Sequence, residues 1–166
     1  MGVSLEAWHH MELDELMRGF AAKHGIPGVQ SAGDGQYRLV FDDIPVVFSA
    51  PGADLVMSAW LAEKPAEGGE RLAELLLAAN RRFAATDGSA LAFDADRSVY
   101  LLERRERLDA LDVDAFSALV EAYVNKAEEF REMIRAYAPA AQSADEAQAA
   151  ERAAFGAFGA NGLMQV

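Results

Sequence analysis

The stretch Tyr37–Ser49, YRLVFDDIPVVFS, reads as two strands folded on a short acidic turn. Tyr37, Leu39 and Phe41 alternate with Arg38 and Val40, and Asp42-Asp43 breaks the apolar run with turn-favouring residues. Ile44, Val46 and Phe48 then resume the alternation. Pro45 lacks an N–H but sits beside the turn, where a missing ladder bond costs least. An isolated two-stranded ribbon is marginal in water, so this hairpin needs strands on its flank and helices on one face. The alternation leaves open whether the set with Leu39 and Val46 or the set with Val40 and Val47 turns outward.

The surrounding chain supplies both kinds of element. Before the hairpin, a helix is expected over Leu5–His24, with Ser4 as N-cap and Gly25 and Pro27 as its stop. Leu5, Leu13, Leu16, Met17 and Phe20 share one arc of that helix. Trp8 and Met11 fall outside the arc, where they either cover a loop or form an apolar surface for a partner. After the hairpin, Pro51-Gly52 marks a turn and Leu55–Ala62 a third strand, which completes an antiparallel meander.

A second helix is expected over Glu70–Ala85, with Leu72, Leu75, Leu76, Ala79 and Phe83 as its main stripe. Ala73, Leu77 and Ala84 form a second, flatter stripe, read either as helix propensity or as a close helix–helix contact. Two more strands, Ala90–Asp94 and Ser98–Arg104, turn at Ala95-Asp96. Leu91 and Phe93 on one and Val99 to Leu102 on the other make both faces of this hairpin apolar. A helix covers one face, which leaves the other for a second body such as another subunit. Asp112 caps a last helix that reaches about Tyr137, with Phe116, Leu119, Val120, Tyr123, Ala127, Phe130 and Ile134 in one stripe.

The order is therefore α-β-β-β-α-β-β-α, an α+β fold with a twisted, antiparallel five-stranded sheet packed against helices. The folded domain is expected over residues 1–138. Residues 139–166 are rich in Ala, Gln, Ser and Gly and lack a packing stripe, so they are expected to form a mobile or partner-dependent tail.

Composition narrows the function. The 166 residues contain no cysteine, which removes disulfides and thiol chemistry. The N-terminus has no basic leader or apolar signal core, and no apolar run approaches the roughly 20 residues of a membrane span. A cytoplasmic location is expected, with no membrane partner. The net charge of −12 repels phosphate backbones and argues against nucleic acid.

No catalytic set emerges. His10 and Asp14 share a helical face, but two ligands do not make a metal site, and no third is placed by spacing. SAGDG lacks the Lys-Ser/Thr and the preceding strand of a phosphate loop. Asp42, Asp43, Asp94 and Asp96 read as turn residues. The reading is a non-enzyme with no catalytic residue, no metal and no cofactor. What remains is surface: a free strand edge beside apolar side chains, which suits an extended peptide bound by strand addition.

In its order of elements the chain resembles class I type III secretion chaperones, the Tir-chaperone family. The likeness spans about Leu5–Tyr137 and rests on LEAWHHMELDELMRGFAAKHGI, YRLVFDDIPVVFS, ERLAELLLAANRRFAA, ALAFDADRSVYLLERR and DAFSALVEAYVNKAEEFREMI. It implies a homodimer joined through the second helix and the later strands. It also implies ATP-independent binding of a non-globular N-terminal effector segment; some relatives bind secretion regulators as well. The tail after Tyr137 is longer than the family pattern requires. The expected partner-binding residues are Trp8, Met11, Val40 and Val47, and the expected dimer-interface residues are Ala73, Leu77, Ala84, Leu91 and Phe93. The rival reading is a regulatory or sensory module of the same fold that binds a folded partner.

Overall fold

The computed structural model describes residues 5–32, 35–66, 68–81 and 83–140, with side chains described from Leu13 to Tyr137. Its elements are α1 (Leu5–His24), β1 (Tyr37–Phe41), β2 (Ile44–Ser49), β3 (Asp54–Glu63), α2 (Gly69–Asn80), β4 (Ala90–Asp94), β5 (Val99–Arg107) and α3 (Val113–Ala140). A 3-10 turn at Leu108–Ala110 precedes α3. The strands form one five-stranded sheet in the order β1-β2-β3-β5-β4. The order of elements and the α+β class are those expected from the sequence. The expected tail falls almost wholly outside the described residues, and α3 itself runs on to Ala140.

Local chemistry sets the boundaries. Helix α1 ends where Gly25 takes φ 65°, and the Ile26 N–H reaches back to the Ala21 carbonyl at 2.9 Å. That bond closes the left-handed C-terminal cap for which glycine is suited. Helix α3 begins at Asp112, whose Oδ1 accepts from the Ala115 N–H at 2.8 Å, the bond expected of an N-cap carboxylate. The β4–β5 turn is held by Asp94, which accepts from the Asp96 and Arg97 N–H groups and from the Arg97 guanidinium at 2.8 Å.

The chain divides into two compact units, one of Met1–Ala59 with Glu103–Asn125 and the other of Trp60–Leu102 with the chain from Lys126. In the first, Leu13, Leu16, Met17 and Phe20 of α1 are buried, as are Ile44, Val46 and Phe48 of β2 and Phe116 and Tyr123 of α3. The rings make a cluster of edge-on contacts: Phe20 to Phe116 at 5.5 Å, Phe48 to Phe116 at 6.0 Å and Phe20 to Phe41 at 6.4 Å. Such pairs add roughly 0.5–1.5 kcal/mol each beyond their buried area. In the second unit, Leu72, Leu76 and Ala79 of α2, Leu91 of β4, Leu102 of β5 and Phe130 of α3 are buried.

Helix α2 is shorter than its apolar pattern suggests. It stops at Asn80 rather than Ala85, and Phe83, expected in its main stripe, lies in the following turn and is 73% exposed. Asn80 explains the stop. Its amide donates to the Leu91 carbonyl at 2.9 Å and accepts from the Leu91 N–H at 2.7 Å. The side chain thus pairs with the backbone of β4, and the chain turns there toward that strand.

The first unit also depends on close approach of α1 to the start of α3. A Cβ built on Gly19 would lie 2.5 Å from Val113 Cγ2, and Lys23 pairs with Asp114 at 2.7 Å nearby. Gly19→Ala gains about 1 kcal/mol of helix propensity but forces a stiff β-branched neighbour aside, which costs about 1–3 kcal/mol. Urea unfolding is expected to show a net loss of stability for Gly19→Ala and its recovery in Gly19→Ala/Val113→Ala. A single variant as stable as the parent would show that Val113 yields freely.

Candidate protein-binding surfaces

The first surface lies on the first unit. The β1–β2 register pairs Tyr37 with Phe48, Leu39 with Val46 and Phe41 with Ile44. Only Asp42 and Asp43 separate the strands, at φ 44° and 68°, so the hairpin closes on a two-residue turn of the primed kind. In such a hairpin the flanking pair, Phe41 and Ile44, is hydrogen-bonded, and bonded pairs alternate with non-bonded ones along the ladder. Val40 and Pro45 form a non-bonded pair. The main-chain groups of Val40 therefore point away from β2, toward the edge of the sheet. Since β1 ends the sheet order on this side, that edge is open to an added strand among the described residues.

The same register settles which side chains face outward. Tyr37, Ile44, Val46 and Phe48 are buried, while Val40 is 69% exposed. Val47 is half-buried on the same outer side as Val40, opposite Arg38. Tyr37 is tied to α1 by the hydrogen bond that its hydroxyl donates to Asp14. Burial, and then this bond, push its pKa up to about 12. Trp8 and Met11 lie on α1, but their side chains fall outside the described residues.

A cavity of about 380 Å³ opens beside this edge. Phe41, the last residue of β1, lines it together with Phe20 of α1 and Val120 and Val124 of α3. His24, its ring tilted against Phe20 with centroids 4.5 Å apart, and Glu121 supply the ionisable groups, beside the polar Ser117 and Asn125. A water occupies about 30 Å³, so the space admits side chains. Phe20 and Val120 read in the sequence as core-stripe residues and Phe41 as a strand residue, while Val124 lies outside the expected stripe of the last helix. The cavity is invisible in the sequence because it arises where three distant segments meet without filling the space.

The second surface lies on the second unit. Ala73 and Leu77 of α2 and Leu91 and Phe93 of β4 line a groove of about 250 Å³, closed at its base by Leu76 and Tyr100. Tyr100 is buried and donates to the Gly69 carbonyl at 3.0 Å, and its ring lies 5.2 Å from Phe93. Leu77 is 66% exposed and Phe93 44%. Lys64 sits at the mouth, its ammonium 5.8 Å above the Phe93 ring. Four of the five expected interface residues therefore meet in one groove. The fifth, Ala84, is exposed in the turn after α2 and does not line it.

Among the described residues no group of three His, Cys, Asp or Glu side chains is placed to hold a metal. No described helix is long and apolar enough to cross a membrane.

The groove depends on the Asn80 clasp, which fixes β4 against the end of α2. Asn80→Ala leaves a donor and an acceptor of Leu91 without that partner. The expected loss is about 1–3 kcal/mol in thermal or urea unfolding, and Asn80→Asp, which keeps only the acceptor, is expected to recover little of it. Parent-like stability in Asn80→Ala would show that the clasp contributes nothing net.

A sequence model of the Tir chaperone protein (CesT) family matches residues 15–131. No curated protein matches the chain by sequence. Among solved structures, a chain of the ExsC–ExsE complex superposes with a TM-score of 0.63 at 21% identity, covering 74% of this chain and 93% of that one. A chain of the HopA1–SchA chaperone–effector complex gives 0.61 at 13% identity, covering 79% and 96%. A chain of the Yersinia pestis complex of the type III secretion chaperone SycH with a fragment of YscM2 gives 0.54 at 18% identity, covering 69% and 95%. At these identities the superpositions show a common fold, while the family match covers most of the sequence. On that match, the chain belongs to the Tir chaperone protein (CesT) family.

Proposed function

We propose that this chain is an ATP-independent chaperone of the bacterial cytoplasm. It binds a non-globular N-terminal segment of a type III secreted effector and keeps it export-competent, catalysing no reaction. The observation that carries the reading is the edge of β1, open among the described residues, beside a cavity that Phe20, Phe41, Val120 and Val124 help to line, on a member of a chaperone family. One of the structural relatives is itself a chaperone–effector complex.

The energetics explain why both features are needed. Ordering the backbone of an extended segment costs about 1–2 kcal/mol per residue. A main-chain hydrogen bond returns only about 0.5–1.5 kcal/mol net. Strand addition alone therefore runs near zero or at a loss. An apolar anchor returns about 1.5–3 kcal/mol when buried, and the cavity lined by Phe20, Phe41, Val120 and Val124 is where one would lodge. Val40 and Val47 present the outer side of the hairpin to the segment, and Trp8 and Met11 in the sequence of α1 complete the proposed set of binding residues. The net charge of −12 favours basic residues in the segment, an attraction that salt weakens.

The reading includes a homodimer that closes on the α2–β4 groove through Ala73, Leu77, Leu91 and Phe93, with Ala84 at its margin. Leu77→Arg would bury an unpaired charge there at a cost of several kcal/mol. Light scattering is expected to find that variant monomeric at micromolar concentration. A variant that stays dimeric removes Leu77 from the contact.

The edge is tested separately. Because the Val40 N–H points away from β2, Val40→Pro should leave the β1–β2 ladder intact while removing the outward donor, and proline is tolerated on edge strands. Calorimetry with an isolated N-terminal fragment of a secreted protein encoded beside this chain is expected to show affinity weakened about tenfold, near 1.4 kcal/mol. Circular dichroism and oligomeric state should not change. Binding at the parent affinity places the segment elsewhere.

A further inference from the structure

The cavity beside the β1 edge has two kinds of lining. Phe20, Ser117 and Val120 are buried, while His24, Glu121 and Asn125 are exposed. Spacing on α3 produces the division. Val120 and Val124 form one row four residues apart, and Ser117, Glu121 and Asn125 form the next. Ser117 is satisfied within its own helix, where its hydroxyl donates to the Val113 carbonyl at 2.8 Å. The polar row therefore offers a guest one carboxylate and one amide.

The carboxylate has no match at the site. The two lysines next in sequence to lining residues are each paired, Lys23 with Asp114 at 2.7 Å and Lys126 with Glu129 at 2.5 Å. Among the described residues Glu121 takes part in no ion pair. Asp42 and Asp43 directly follow Phe41, which adds acid at the end of β1, and His24 is the one base in the lining. A wholly apolar guest that filled the space would strip water from the Glu121 carboxylate and give nothing back. A long side chain with a cationic head avoids that cost, since its alkyl stem buries like an aliphatic anchor while the head stays at the surface. The rings favour a guanidinium over an ammonium. Phe20 and Phe41 meet edge-on at 6.4 Å and the His24 ring is tilted against Phe20. A planar guanidinium stacks on aromatic faces and pairs with a carboxylate through two parallel N–H bonds.

We propose that this cavity takes an arginine side chain of the bound segment, with its stem against Phe20, Phe41, Val120 and Val124 and its guanidinium on Glu121. The inference rests on the reading of the β1 edge as the site of an extended segment, and names the side chain that anchors it. Glu121 then sets specificity: it rejects a fully apolar residue at this position and selects a basic one.

The test uses the full chain and a blocked pentapeptide, acetyl-Ser-Thr-X-Thr-Ser-amide, with arginine, its neutral isostere citrulline, or leucine at X. Binding is followed by the methyl resonances of Val120 and Val124. The arginine peptide is expected to bind about fivefold more tightly than either other peptide, the scale of a partly exposed ion pair. In Glu121→Gln the arginine peptide should fall to the level of the citrulline peptide, whose own affinity should not move. In His24→Gln the preference for arginine should persist. Equal affinities in the parent, tighter binding of leucine, a preference that survives Glu121→Gln or one that is lost in His24→Gln each overturn the proposal. So does the absence of any saturable shift at the two valines. The reading of the β1 edge fails separately, because Val40→Pro reports on strand addition whatever side chain the cavity takes.

Discussion

Asp42 and Asp43, both at positive φ, hold the first hairpin to a two-residue turn, and much of the first unit follows from that constraint. With Phe41 opposite Ile44, the alternate residues fall on fixed sides. Ile44, Val46 and Phe48 enter the core and Val40 stays outside. A slip of one residue would exchange the two sets and turn Phe48 to solvent. The same register brings Pro45 to a non-bonded position opposite Val40, where its missing N–H disturbs no bond to β1. It also places Phe41 at the end of the strand, in contact with Phe20 at 6.4 Å and at the wall of the cavity. Asparagine and aspartate tolerate left-handed backbone better than most residues, which is why an Asp-Asp pair serves here without glycine.

The two surfaces differ in the physics they offer. The edge of β1 presents directional main-chain groups beside a cavity with His24 and Glu121 among its lining residues, which suits a segment that brings its own backbone and a few anchors. The α2–β4 groove is lined largely by apolar side chains, with Leu77 and Phe93 left largely exposed, and so suits a packed contact. Selectivity comes from where anchors fit and from the sign of the surrounding charge. The buried hydroxyls serve structure: Tyr37 bonds to Asp14 and Tyr100 to the Gly69 carbonyl, which fixes α1 to β1 in one unit and the start of α2 to β5 in the other.

Much of the architecture was legible in the sequence because periodicity reports burial directly. The period-two run of Tyr37–Ser49 predicted two strands that the structure contains, with Tyr37, Ile44, Val46 and Phe48 buried, and the stripe of Phe116, Leu119, Val120, Tyr123, Ala127, Phe130 and Ile134 predicted α3, in which all of these but the half-buried Leu119 are buried. Asp112 and Gly25 marked helix ends because capping chemistry is local. The end of α2 was not legible, because the stop depends on Asn80 reaching Leu91 across eleven residues of chain, which no local pattern encodes. Phe83 accordingly looked like core and is exposed. Of the expected interface residues, Ala73, Leu77, Leu91 and Phe93 converge on one groove, since a second stripe on a helix and a two-faced hairpin both signal surface awaiting cover. Val40 was named as a binding residue, but its outward direction required the register. The cavity beside Phe41 could not be foreseen, because it is the shape left between segments rather than a property of any one of them.

Residue-resolved amide hydrogen exchange of Val40, measured in the free chain and with a saturating effector N-terminal fragment, tests the central claim most directly. Among the described residues the outward N–H of Val40 has no partner strand on that edge, so it should exchange fast in the free protein and slow by about tenfold or more when a strand is added. Slowing at Val40, together with shifted side-chain resonances of Phe41 and Val124, is the predicted result. A saturated complex in which the Val40 amide exchanges as it does in the free chain would contradict the account.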